Sequence, residues 1–331
     1  MIELTDNQLV FRFPEVHEDA TLTIEFQRTL RIPDDDREYP LPAGLGAFPL
    51  RHVDDFAATV PGSWIEHGGI LLPMHQAEAM WLRFEGSYPF AVKVAAGKIN
   101  AVTGEPWRGG LHRDPQDYLV RPGQPWLDGY CVEKGVIRQF VAMPLGEGYT
   151  AEEQITGRAE FGGLQIAAYP MKPELYERAV VLSRSVFECG LVAGTFAMFS
   201  PAMGLAPGGR MKQEIFEDHY ALSDWDQRHA ARCFIHLANA AQWRTITGED
   251  PPATPVDAAA YRRAGIPWFD YYAPDLRAVA GSGILNRLKS LGQIARGKRD
   301  AGVPANDPVI IDRVVRLRRN LERSQVRESE L

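Results

Sequence analysis

The sequence predicts an α+β fold in which a mainly antiparallel β N-terminal half packs with a mainly helical C-terminal half. Three observations point there. Apolar and polar residues alternate within residues 1–32, the pattern of strands with one wet face, and further strands are read before residue 172. Only one stretch, from Val136 to Tyr169, reads as strand, glycine turn, short helix, strand, and one such unit does not establish a parallel sheet. A long apolar run after Ser223 then reads as an interior helix. These patterns divide the chain into a β-rich region 1–172, a helical region 173–306 and a basic amphipathic helix 307–331.

Taken in order, Leu9, Phe11 and Phe13, then Leu22, Ile24 and Phe26, occupy alternate positions and predict two strands. Pro33 and the three aspartates after it break them. Tyr39 to Arg51 reads as a connecting loop and His52 to Val60 as a short helix. Glu78 to Glu85, Phe90 to Val94 and Lys98 to Val102 read as strands, the last two joined at Gly97 as a hairpin. Thr103 to Asp128, rich in Gly, Pro, Trp and Asp, is long for a structureless loop, and such loops often clamp something. Val136 to Met143 and Leu164 to Tyr169 are further strands. Between them Thr150 and Glu153 form a capping box that opens a short helix ending at Gly157.

In the second half, Glu174 to Ser185 is predicted helical. The centre of this half is the segment from Ser223 to Gly248. Ser223 and Asp226 stand in N-cap relation, and Gly248 is a natural stop, which predicts about six helical turns at roughly 3.6 residues each. Arg232, His236, Asn239 and Trp243 share one stripe at helical spacing. Two readings of that stripe compete: the polar wall of a pocket, or a buried helix whose polar groups are satisfied by neighbours. Thr254, Pro255 and Asp257 start a helix that Gly265 ends, and Ile284 to Ile294 is amphipathic. Ile310, Val314, Leu317 and Leu321 follow a seam spacing amid arginines. This terminal helix is expected to lie on the body or to mediate self-association.

The chain has 331 residues and a net charge of −7, unevenly spread. Residues 284–331 carry 11 Lys plus Arg against 6 Asp plus Glu, while the preceding 283 residues carry a net −12. An acidic body with a basic tail is a poor nucleic-acid binder, so no nucleic-acid partner is expected. Three widely spaced cysteines, Cys131, Cys189 and Cys233, fit a reducing compartment. No signal peptide is read at the start, and a cytoplasmic location is expected. Residues 189–209 lack charge but hold five glycines and two prolines. They read as a buried strand followed by a Gly/Pro loop, with membrane contact not expected.

Candidate chemistry is sparse. The stretch GLAPGGRMKQ from Gly204 offers backbone amides at Gly208 and Gly209 beside Arg210 and Lys212, a possible anion cradle. It lacks the GxxxxGK[ST] pattern, and no GxGxxG or GxSxG is present. Arg138 and Gln139 precede it in the set of ligand-binding candidates, and Arg232 and His236 of the stripe complete it. Cys131 would need a histidine base to act as a nucleophile. Glu214, Glu217, Asp218 and His219 form an acid cluster that reads more simply as a solvated turn. His229, Cys233 and His236 share a helix face, but no CxxC or HExxH pattern supports a metal. No cofactor is expected.

Two blocks, GVIRQFVAMPLGEGYTAEEQITG from Gly135 and GLAPGGRMKQEIFEDHYALSDWDQ from Gly204, resemble an uncharacterised protein family of bacteria and some fungi. With the PWFDYY cluster at Pro267 the likeness runs from about Pro40 to Leu291. The family carries no established activity, so the resemblance implies a grouping and no catalytic residues. The label of integral membrane protein sometimes given to its members is not supported by the hydropathy here. The functional expectation is a non-enzymatic binding or assembly protein acting through a partner or through self-association. The alternatives are an enzyme with an anion-binding cleft between the halves, built on Arg138, Arg210 and Lys212, and a peripheral membrane protein.

Overall fold

The computed structural model describes residues 1–35, 37–180, 202–273, 275–300, 303 and 309–318. In chain order the strands and helices are β1 (Ile2–Thr5), β2 (Gln8–Arg12), β3 (Thr21–Thr29), β4 (Glu38–Tyr39), β5 (Leu41–Pro42), β6 (Gly44–Ala47), β7 (Arg51–His52), α1 (Gly62–His67), β8 (Ile70–Met74), β9 (Ala79–Glu85), β10 (Phe90–Ala96), β11 (Ile99–Asn100), β12 (Leu119–Arg121), β13 (Trp126–Leu127), β14 (Gly129–Glu133), β15 (Val136–Pro144), α2 (Ala151–Thr156), β16 (Leu164–Pro170), α3 (Pro173–Val180), β17 (Ala202–Lys212), β18 (Ala231–Asn239), α4 (Ala240–Thr247), α5 (Ala258–Arg263), β19 (Trp268–Tyr272), α6 (Gly283–Asn286), α7 (Leu291–Lys298) and β20 (Val314–Arg318).

Pairing builds one network with two layers. β1, β2, β3, β9, β15 and β17 follow one another, each antiparallel to the next. β12, β10, β16 and β18 do the same, and β8 extends them in parallel beside β18, with β7 outside it. The layers join where Ala202 and Met203 of β17 pair with Ala238 and Leu237 of β18. Between them lies the largest apolar cluster, with Phe11, Ile24, Leu82 and Phe140 from one layer and Val92, Ile166, Ile235 and Leu72 from the other. A separate three-stranded sheet has the order β20, β19, β5.

The expected helical C-terminal half is therefore corrected: β17, β18, β19 and β20 all lie in it. The long helix after Ser223 is the largest departure. Ser223 sits in a 3-10 turn, Leu222–Asp224, and Ala231–Asn239 is a strand. Helix begins only at Ala240, capped by the Asn239 side chain, and ends at Gly248 in the left-handed conformation. The reason is burial on both faces. Cys233, Ile235 and Leu237 enter the main core, while Ala238 on the opposite face packs with Trp64, Trp243 and Ile246. A strand covered on both sides reads as a continuous apolar run, indistinguishable by composition from an interior helix.

The terminal helix is corrected as well. Residues 314–318 form β20, parallel to β19; 307–308 and 319–331 lie outside the described residues, as do 181–201, which include Cys189 and most of the uncharged stretch. The Gly/Pro loop read from Gly204 is instead the middle of the eleven-residue β17. In the first half, β9, β10, β15 and β16 fall where strands are expected, and Thr150 and Glu153 cap α2 reciprocally. Among the described residues no helix is long and apolar enough to cross a membrane.

Candidate functional site

β15 and β17 bring Arg138, Gln139, Gly208, Gly209, Arg210 and Lys212 together, but as a packed strand pair. Arg138 lies opposite Arg210 in register. Arg138 Nη1 is 3.7 Å from Asp34 and donates to the Gly208 carbonyl. Arg210 donates to both Glu133 oxygens, at 3.1 and 2.9 Å, with Glu38 at 3.5 Å. The Arg210 hydrogen bond lowers the Glu133 pKa and raises that of Arg210, as expected for an ion pair. Gln139 is fully buried and staples the backbone of Leu30 and Ile32. The glycines permit close approach. A Cβ on Gly209 would stand 2.2 Å from the Pro33 carbonyl oxygen, and one on Gly208 2.6 Å from Val141. Both glycines are thus packed tightly within the strand pair.

Arg232 and His236 do share a face, because positions four apart are co-facial in a strand as in a helix. The rings of Phe234 and His236 lie on that face, with Trp64 of α1 stacked 4.7 Å from His236 and His67 stacked 4.6 Å from Phe234. The guanidinium of Arg232 lies 5.3 Å from the Phe234 ring centroid. His236 Nε2 is 3.0 Å from the Gly68 carbonyl, and burial pushes its pKa down to about 4. A neutral, stacked imidazole holding a backbone carbonyl is a packing element. Cys233 turns to the opposite, core face, so it does not converge with His236.

The interior charges missed by motif reading prove equally committed. Lys93, 1% exposed in the middle of β10, gives its ammonium to Asp117 at 2.5 Å and to the carbonyls of Arg108 and Gly110 at 2.8 Å each. Trp107 packs over it, 5.2 Å from the ring centroid to Nζ. Asp117 also accepts from the His112 backbone amide and faces His112 Nδ1 at 3.0 Å. Three donors meet three acceptors, so Lys93 clamps the long 103–117 loop to the sheet. Its signal was available: a single lysine inside the apolar run FAVKVAA. Glu78 pairs with Arg28 within 2.6 Å and receives the His75 amide; burial nevertheless raises its carboxyl. Asp218, from the acid cluster, accepts from Tyr118, Trp225 and the Tyr220 amide. Burial lifts the Cys131 thiol to about 12, unlike a nucleophile, which needs a depressed value.

Exposed charged and apolar groups lie around the small sheet. A cleft of about 640 Å³ opens at its seam with the main network, lined by Trp126, Tyr271, Lys134, Lys212 and the carboxylates of Glu38, Glu133, Glu214 and Asp270. Four carboxylates against two lysines give it the wrong sign for an anion. β20, the outer strand, is more distinctive. In its parallel ladder Trp268 faces Val314, and the Trp268 amide donates to the Arg313 carbonyl. The backbone groups of Arg313, Val315 and Leu317 thus turn to β19, and those of Val314, Arg316 and Arg318 turn outward. Ile310, Ile311 and Val314 are exposed by 54%, 38% and 44%, three of the six large apolar side chains that are so exposed among the described residues. Arg313 is exposed too, and the Arg316 side chain is 78% exposed, 3.8 Å from Asp270.

Set against known protein families, curated proteins and solved structures, the chain matches none.

Proposed function

We propose that the protein is a binding protein that takes an extended acidic segment of a partner onto the open edge of β20. One observation carries this reading: an outer strand whose outward backbone groups have no strand partner among the described residues, flanked by exposed aliphatic residues and arginines. Strand addition supplies hydrogen bonds along the backbone, and pockets or charges at alternate positions supply selectivity. Natural edge strands are usually blunted against such pairing. The strand itself bears only cationic charges, and Asp312 just before it is paired with Arg262, so a partner strand bearing carboxylates is favoured over a second copy of the same arginine-bearing strand. The commitment of the interior charges to packing supports binding over side-chain catalysis. The buried thiols of Cys131 and Cys233, both unpaired, are compatible with a cytoplasmic setting.

The test uses fluorescently labelled peptides of alternating valine and glutamate, and of alternating valine and lysine, titrated with the full chain. The acidic peptide should bind, more weakly as salt rises, and the basic one should not. Val314→Pro removes an outward amide while sparing every bond to β19, and should abolish binding with the fold intact by circular dichroism. Equal binding of both peptides, or undiminished binding by Val314→Pro, overturns the proposal. So does a β20-dependent homodimer by light scattering.

A further inference from the structure

A second site stands apart from the β20 edge, in a cleft of about 810 Å³ between α2 and the α6–α7 segment. Its lining contains Arg287, Lys289 and Lys298 and no carboxylate, beside the aliphatic side chains of Ile155, Leu288 and Ile294. Three cations in one concavity of a chain with net charge −7 are not the average of its surface. Two of them are unspent: neither the Arg287 guanidinium nor the Lys289 ammonium has a hydrogen bond or ion pair among the described residues.

The cleft is also held in shape. The Gln154 side chain donates to the Lys289 carbonyl at 3.0 Å and accepts from the Lys289 amide at 2.8 Å, so the backbone carrying Lys289 is fixed to α2. Lys298 donates to the Glu147 carbonyl and lies 4.2 Å from the Tyr149 ring centroid, which positions its charge at the other end. The first amides of α7 are already taken, Gln293 by Ser290 and Gly292 by Asp34. Any anion here is therefore held by side-chain charge, with Arg287 able to bind two oxygens at once.

Apolar floor and cationic rim together select an amphiphilic anion. We propose that this cleft binds a phosphate monoester whose organic substituent is apolar, the phosphate between Arg287 and Lys289 and the substituent over Ile155, Leu288 and Ile294. A soluble ester and a phosphatidic acid headgroup present the same chemistry, and the experiment separates them.

Calorimetric titration of the full chain with phenyl phosphate should show saturable binding at least tenfold tighter than inorganic phosphate. Arg287→Glu with Lys289→Glu should weaken it at least tenfold, while Val314→Pro should leave it unchanged. Both substituted side chains are exposed, and circular dichroism checks their fold. In parallel, flotation with phosphatidylcholine vesicles, with and without phosphatidic acid, reads the lipid arm. Flotation that requires phosphatidic acid and is lost in the double variant assigns the site to lipid, and binding of phenyl phosphate alone assigns it to a soluble ester. No binding of either probe, equal affinity for inorganic phosphate, or an unaffected double variant overturns the proposal.

Discussion

Lys93 and Lys289 carry the same ammonium group in opposite circumstances. Lys93 is enclosed by a carboxylate and two carbonyls under an indole ring. Lys289 lines an open cleft with no side-chain partner among the described residues. The first charge is fully used in holding a loop to a sheet, so removing it should act on stability. The second is held in place through its backbone and offers its charge to solvent, so removing it should act on binding. Unusual polar residues inside this protein are thus better read as fasteners, and ordinary-looking ones near the C-terminal end as contacts.

That contrast can be broken most sharply at Lys93. Lys93→Met leaves Asp117 charged and two carbonyls unsatisfied in the interior, and should cost about 3–5 kcal/mol in denaturant unfolding. Adding Asp117→Asn should recover part of the loss. A change below about 1 kcal/mol would show that the clamp is not structural.

Gly209→Ala comes next. Its Cβ would meet the Pro33 carbonyl at 2.2 Å, so the β17 backbone must move, at a cost of about 1–3 kcal/mol in the same assay. If Gly209 instead served an anion, stability would hold and ligand binding alone would fall.

The pH-dependent case is Asp128, whose Oδ2 has no hydrogen-bond partner among the described residues. Burial, partly offset by a hydrogen bond from Trp126, raises its carboxyl to about 8. The folded chain then holds a proton that the unfolded chain releases near pH 4, so stability falls as pH rises between these values. Asp128→Asn should remove this slope, so its stabilising effect relative to wild type should grow by about 1.4 kcal/mol per pH unit between pH 4 and pH 8. Parallel pH profiles of wild type and variant would rule out the buried, protonated acid.

β3 and β9 were legible because each has one buried and one wetter face, whereas β10, β15 and β16 are buried at every position and were read as short apolar runs bounded by turns. Leu22, Ile24 and Phe26 of β3 are fully buried on alternate positions, and alternation survives in the sequence. β18 was illegible because its apolar run continues into α4 with no turn between them, so ARCFIHLAN reads as part of one helix. Its spacing of four between Arg232 and His236 fits either structure. β17 was obscured by Pro207, Gly208 and Gly209, ordinarily loop residues. They are tolerated because the register with β15 shifts opposite them, between Arg138 and Phe140, where proline loses no ladder bond. Of the sites, the basic excess from Ile284 onward was visible in composition. Its gathering of Arg287, Lys289 and Lys298 into one cleft depends on two short helices broken at Ser290, which periodicity alone joins into one.

The parallel pairing of residues 70–74 with residues 235–239 has a consequence for synthesis. At ordinary ribosomal speed the later strand emerges on the order of ten seconds after the earlier one. During that interval the hydrophobic flanks of β8 and β16 have no β18 to cover them. A nascent chain of this topology is exposed to aggregation late in translation, and its yield in a cell should depend on chaperones until the second of those strands arrives.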